Sequence, residues 1–197
     1  MSQPSSTYSS YSGVSIALHW IIALLAFGQI GLMMISDAVP GSERGLWMML
    51  HKSGGMLILA LTLVRLFWRF REPWKPLPVA MPQWQRWLAR VTHVGFYVVM
   101  IGMPLTGWAA VSAAGSGFDF YGLFATPLLP VEGGRDTARA LFGIHDKGAK
   151  VFYVLTALHV AAALKHQFLD KDNELKKMLP LLPGRGFVDP RGPGGAP

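Results

Sequence analysis

Six histidines carry the chemistry this sequence offers: His19, His51, His93, His145, His159 and His166. Imidazole titrates near neutral pH and is the commonest protein ligand for transition metals. His145 and His159 are fourteen residues apart. On a helix, that spacing returns to within about 40° of the same face and rises about 21 Å. One face of one helix then presents two imidazoles too far apart to share a metal ion. Two flat macrocyclic cofactors at different depths, each holding its own iron, would suit them. Two imidazoles per iron leave no open coordination position, which favours electron transfer over oxygen binding. The zinc pattern H-E-x-x-H is absent, and no apolar run offers histidines and acids at i and i+4. With no cysteine in the chain, disulfides, thiolate-held iron–sulfur clusters and thioether-attached haem are excluded.

The elements that must position these rings are four long apolar runs. They cover residues 14–35, 46–68, 87–111 and 149–169, the last beginning a turn earlier to include His145. Each approaches or exceeds the roughly 20 helical residues that cross a hydrocarbon core. The chain is 51% hydrophobic and 15% charged, against roughly a quarter charged in soluble domains. The expected fold is an all-α membrane protein, a four-transmembrane-helix up-and-down bundle. Its spans would occupy residues 14–180, between an N-terminal tail of residues 1–13 and a disordered Pro/Gly-rich tail of residues 181–197. Links fall at 36–45, 69–86 and 112–144, with a short surface helix expected at 136–142, capped by Asp136. The first run is too long for the apolar core of a signal peptide and lacks a basic segment before it, so it reads as a span. Pro104, with Gly102 and Gly107, is expected to bend the third span.

A net charge of +7 invites a nucleic-acid reading, but its distribution argues for membrane topology. Arg65, Arg69, Arg71, Lys75, Arg86 and Arg90 face a single acid, Glu72, around the second link. Lys165, Lys171, Lys176, Lys177, Arg185 and Arg191 follow the fourth span. The other two links, with the span ends that flank them as far as Lys52 and Lys150, hold six basic residues and six acids. Lysine and arginine mark the cytoplasmic side, so both termini are expected there. Trp20, Trp68, Trp84 and Trp87 fall at that boundary, and Trp47 and Trp108 at the far one.

Depth pairs the histidines. His51 opens the second span level with His145, giving an outer pair. From the outer span ends, His19 and His159 lie about 24 and 21 Å inward, and His93 and His166 about 28 and 31 Å. His19 with His159 is the inner pair, with His93 in place of His19 as the alternative. His93 and His166 otherwise lie near the cytoplasmic surface. Gly54, Gly55, Gly95 and residues 161–163 suit either a flat macrocycle or close helix packing. A transporter would be expected to show broken helices and internal repeats, and neither is present in the sequence.

Several motifs carry a resemblance over residues 11–180. They are YSGVSIALHW, MMLHKSGG, THVGFYVVMIGMPLTGW and GIHDKGAKVFYVLTALHVAAALKHQF, the last followed by KDNELKKMLP. In these the chain resembles the bacterial cytochrome b561 family. The resemblance implies a diheme b-type cytochrome of the inner membrane, with two haem b stacked across the bilayer. By motif, His19 and His159 match one haem's ligands and His51 and His145 the other's, in agreement with the depth argument. It also implies ubiquinone as acceptor near His166 and His93, and superoxide as donor at the outer face. A cationic funnel would draw in that anion. Arg44, Lys52, Arg135, Arg139, Lys147 and Lys150 are its candidates, with Lys52 and Lys147 nearest the donor side. Lys52 and Arg65 are candidate haem propionate partners. The alternative function is an electron-relay cytochrome subunit for a partner dehydrogenase or reductase; lipid is the only macroscopic surface implied, and nucleic acid is not.

Overall fold

The computed structural model describes residues 11–75, 81–171 and 174–179. Four helices dominate them: α1 Gly13–Ala38, α2 Arg44–Arg71, α3 Gln83–Ala113 and α4 Gly134–Lys165. All four are long and apolar enough to cross a membrane, as the apolar runs predict. Each is longer than its apolar run, because a helix continues past the hydrocarbon boundary into polar residues that still hydrogen-bond along the axis. The expected 181–197 tail lies outside the described residues.

Local chemistry explains the ends. Ser12 caps α1 by accepting from the Ser15 N–H at 3.3 Å. Arg69 and Arg71 occupy the last turn of α2, where a helix C-terminus favours positive charge. α3 closes with Gly115 at φ 68, the Gly115 N–H donating to Ser112 and the Ser116 N–H to Val111. That pair of bonds is the Schellman arrangement, which needs a residue tolerant of positive φ.

The fourth span corrects one expectation. No separate surface helix covers 136–142: α4 starts at Gly134, after Gly133 at φ 102. Asp136 sits inside its first turn and no side chain caps it. Gly143 costs only about 1 kcal/mol of helix propensity, too little to break the run before His145. The longest link therefore shrinks to 114–133. It contains an unexpected antiparallel hairpin, β1 Asp119–Phe120 with β2 Phe124–Ala125. Tyr121 and Gly122 turn it at φ 51 and 73.

α3 packs along α4, α1 along α2, and α2 along α3, whereas no Cα of α4 comes within 8 Å of α1 or α2. Small and polar residues fill the contacts, with Ser15, Ser36, Ser53, Thr62, Thr92 and Ser112 all buried. Leu24, Phe27, Met34, Phe67, Val98 and Val154 are exposed, an apolar exterior suited to lipid. α3 runs unbroken through Pro104.

Candidate functional site

The helices bring the four predicted ligands together in the predicted pairs. His51 on α2 and His145 on α4 have ring centroids 6.1 Å apart. His19 on α1 and His159 on α4 are 6.2 Å apart. Both pairs cross the very helix pairs whose backbones stay beyond 8 Å. A metal–imidazole bond is about 2.0 Å long. Two such bonds in line, with a ring radius of about 1.1 Å at either end, span about 6 Å. The observed separations would accommodate one iron between each pair, and the 5.7 Å between His93 and His159 falls in the same range.

Other features of the site fit the same group. His51 Nδ1 is buried without a well-formed hydrogen bond, and the Gln29 backbone interacts with the ring. A carbonyl there only accepts, which favours the proton on Nδ1 and leaves Nε2 with the lone pair that a metal requires. His145 Nδ1 lies 2.8 Å from the Met103 carbonyl, the bond that orients a metal-ligating histidine and sets its tautomer. The residues present therefore fit haem held between imidazoles.

His93 lies closer to the inner pair than the depth count implied. Its ring is 5.7 Å from that of His159 and 6.1 Å from that of Trp74. His166 opens a π-helical turn, His166–Asp170, at the end of α4. Its Nδ1 lies 3.1 Å from Asp170 Oδ2, and Lys165 Nζ meets the same oxygen at 2.5 Å. A π turn inside or at the end of an α-helix often marks a functional site. Here it gathers two basic groups and an acid at the membrane boundary.

At the opposite end, acids occupy three of the six cations. Arg44 pairs with Asp37, Arg139 with Asp136 and Lys150 with Asp146. Lys52, Arg135 and Lys147 have no acid partner among the described residues. Lys52 follows His51 directly and lies 5.6 Å over the Phe118 ring. Lys147 is exposed and about 200° round α4 from His145, so it is the weaker candidate. Arg65 donates through Nη1 to the Ser15 carbonyl at 2.8 Å and lies near enough to His19 and His159 to act on both electrostatically.

Sequence reasoning missed three participants. Glu72, noted only as a lone acid, accepts from the Ser12 N–H at 2.8 Å and from the Ser12 and Ser15 hydroxyls at 2.6 and 2.5 Å. Ser15 stands one turn before His19. Tyr121 donates its N–H to buried Ser53 at 2.9 Å, tying the hairpin to α2 two residues past His51. The Met103 carbonyl is the third.

Comparison with known proteins agrees with this geometry. The family model for prokaryotic cytochrome b561 matches residues 10–181. Cytochrome b561 homolog 2 of Escherichia coli (strain K12) is 33% identical over 174 residues, covering 86% of this chain and 90% of the relative. Cytochrome b561 homolog 1 of the same organism is 30% identical over 172 residues, covering 86% and 97%. A probable superoxide oxidase CybB of Yersinia pestis is 30% identical over 175 residues, covering 88% and 97%.

Proposed function

The chain belongs to the prokaryotic cytochrome b561 family, a membrane electron-transfer family binding b-type haem, and on that premise we propose that it is a diheme superoxide:ubiquinone oxidoreductase of the bacterial inner membrane. His51 and His145 would hold one haem iron, and His19 and His159 the other. When bound, haem would supply one-electron transfer chemistry. The single observation that carries the reading is the pair of 6.1 and 6.2 Å imidazole separations across helices that do not touch.

The remaining residues act at the two ends. Lys52, without an acid partner beside His51, favours approach of a small anion to the outer pair. The neighbouring acids neutralise Arg44, Arg139 and Lys150, so the attraction centres on Lys52, with Arg135 and Lys147 contributing more distantly. At the basic end, His166 and Lys165 share Asp170, and this triad would hold a proton for a quinone oxygen; His93 lines the approach. Two superoxide anions each lose one electron to give oxygen, while ubiquinone gains two electrons and two protons to give ubiquinol. The excess of lysine and arginine around that end supports a cytoplasmic position for it and for both termini. The 30% identity to a probable superoxide oxidase supports the choice of donor.

The test uses purified protein in ubiquinone-containing vesicles. Superoxide consumption coupled to ubiquinol formation is expected, and Lys52→Ala should slow it several-fold, with the effect shrinking at high salt. Quinone reduction no faster than in empty vesicles would refute the donor and acceptor. Ala at His51 or His145 should remove only the outer haem, and Ala at His19 or His159 only the inner one.

A further inference from the structure

α3 and α4 exchange side chains at the level of the outer histidines. The Met103 side chain of α3 lies where a Cβ at Gly148 of α4 would be, 2.7 Å from Met103 Cγ. In return the His145 ring of α4 lies against Gly107 of α3: a Cβ there would be 3.2 Å from Nδ1 and 3.3 Å from Cε1. His145 and Gly148 are three apart on one helix, and Met103 and Gly107 four apart on the other. Each helix thus offers one knob and one glycine hole along a single ridge.

The hole sets the ring's chemistry as well as its place. His145 Nδ1 is 2.8 Å from the Met103 carbonyl, and the Thr106 hydroxyl donates to the same oxygen at 2.9 Å. A carbonyl only accepts, so Nδ1 carries the proton and Nε2 is left with the lone pair that a metal requires. The other outer imidazole is held less well, since His51 Nδ1 is buried without a well-formed hydrogen bond and, among the described residues, only the Gln29 backbone offers that ring a hydrogen-bonding contact. Among the described residues neither inner ring, His19 or His159, makes such a bond to a carbonyl.

We propose that Gly107 and the Met103 carbonyl are positioning elements for His145, seating its ring in the Nδ1–H tautomer and setting the electron donation of one outer ligand. The proposal rests on the reading that His51 and His145 hold the outer haem. A side chain at position 107 would shift the ring by a few tenths of an ångström against the carbonyl, weakening that bond and raising that haem's midpoint potential, because the buttressing bond makes the imidazole a stronger donor.

The test uses the full chain carrying its haems. Gly107→Ala is compared with Gly102→Ala, the same change on the same helix, where the added Cβ meets nothing within 4 Å. The readouts are haem per chain, the low-spin electron paramagnetic resonance signals and the two midpoint potentials. In Gly107→Ala one signal should shift or vanish and one potential should rise, with the other haem unchanged; Gly102→Ala should leave both alone. Unaltered signals and potentials in folded Gly107→Ala would overturn the proposal. His145→Ala separates the two levels of inference: if it keeps both haems, the ligand assignment itself is wrong. Should Gly107→Ala fail to fold, the unmodified protein decides. Electron–nuclear double resonance on the oxidised outer haem with 15N-labelled histidine should find inequivalent Nδ1 protons on its two ligands, and equivalent ones would overturn the proposal.

Discussion

Glu72→Ala should loosen the start of α1 and, through it, the inner histidine pair. The carboxylate accepts three hydrogen bonds from Ser12 and Ser15 and has Lys75 Nζ at 3.7 Å. Burial acts to raise its pKa, but the Ser12 and Ser15 hydrogen bonds outweigh that and lower it from 4.5 to about 2. Hydrogen bonds to a charged group contribute about 1.5–3 kcal/mol each when shielded from water. This side chain retains 16% exposure, so screening reduces the sum, and about 2 kcal/mol for the whole latch is a fair expectation. In a chain of this size that corresponds to a fall of about 4–8 °C in the unfolding midpoint. A carboxylate with a depressed folded pKa stabilises fully above its unfolded pKa. That contribution therefore persists above about pH 4.5 and is lost as pH falls towards about 2. Ser15 is one turn from His19, and Arg65 holds its carbonyl, so the inner haem's spectrum should broaden while the outer one stays sharp. Thermal melts followed at the haem absorbance, from pH 7 down to pH 3, measure both effects. Equal midpoints for the two proteins at pH 7, or curves that stay parallel down to pH 3, would refute the reasoning.

Two further substitutions probe the neighbours of the histidine pairs. His93→Ala should keep both haems, because His93, though 5.7 Å from His159, lies on α3, which packs directly on α4, whereas His19 faces His159 from α1, whose Cα atoms all stay beyond 8 Å of α4 and leave room for a cofactor. Loss of a haem from His93→Ala, with retention in His19→Ala, would transfer the ligand role to His93. Ser53→Ala removes the fully buried hydroxyl that accepts from Tyr121. At about 1–1.5 kcal/mol for that bond, proteolysis within residues 119–125 should accelerate about tenfold, and an unchanged cleavage rate would show that the hairpin is held by other contacts.

The sequence makes the spans legible because apolar length is a local quantity, readable from any window of about 20 residues. Histidine depth is legible for the same reason: helix rise converts residue counts to ångströms without any tertiary information. What stayed hidden depends on partners far along the chain. Glu72 is 57 and 60 residues from the serines it holds, and nothing in its neighbourhood marks it as a latch. The hairpin consists of two-residue strands, too short for a period to show, and is fastened by Ser53, 68 residues from Tyr121. A backbone carbonyl has no side-chain signature, so the Met103 bond to His145 left no trace. Gly107 was noticed, but as a bend beside Pro104 and not as the seat of a ring. The helix expected at 136–142 failed because a lone glycine is a weak breaker when both flanks are helical.

α4 carries one histidine of each pair, yet among the helices crossing the membrane only α3 packs along it. What reaches from α4 towards α1 and α2 is the imidazoles, at 6.2 and 6.1 Å. If each pair closes on an iron, coordination is the second attachment of α4, and the bundle's integrity becomes linked to cofactor binding. A ligand that binds only the folded state at a thousand times its dissociation constant adds about 4 kcal/mol. Protein made under haem limitation should then lose amide protection mainly in α4 and at the start of α1, while α2 and α3, which pack directly on each other, change little. Hydrogen exchange on the two preparations tests this. Unchanged protection of α4 between the two preparations would mean that α4 is held by α3 alone, and that the histidine pairs are passengers on the fold.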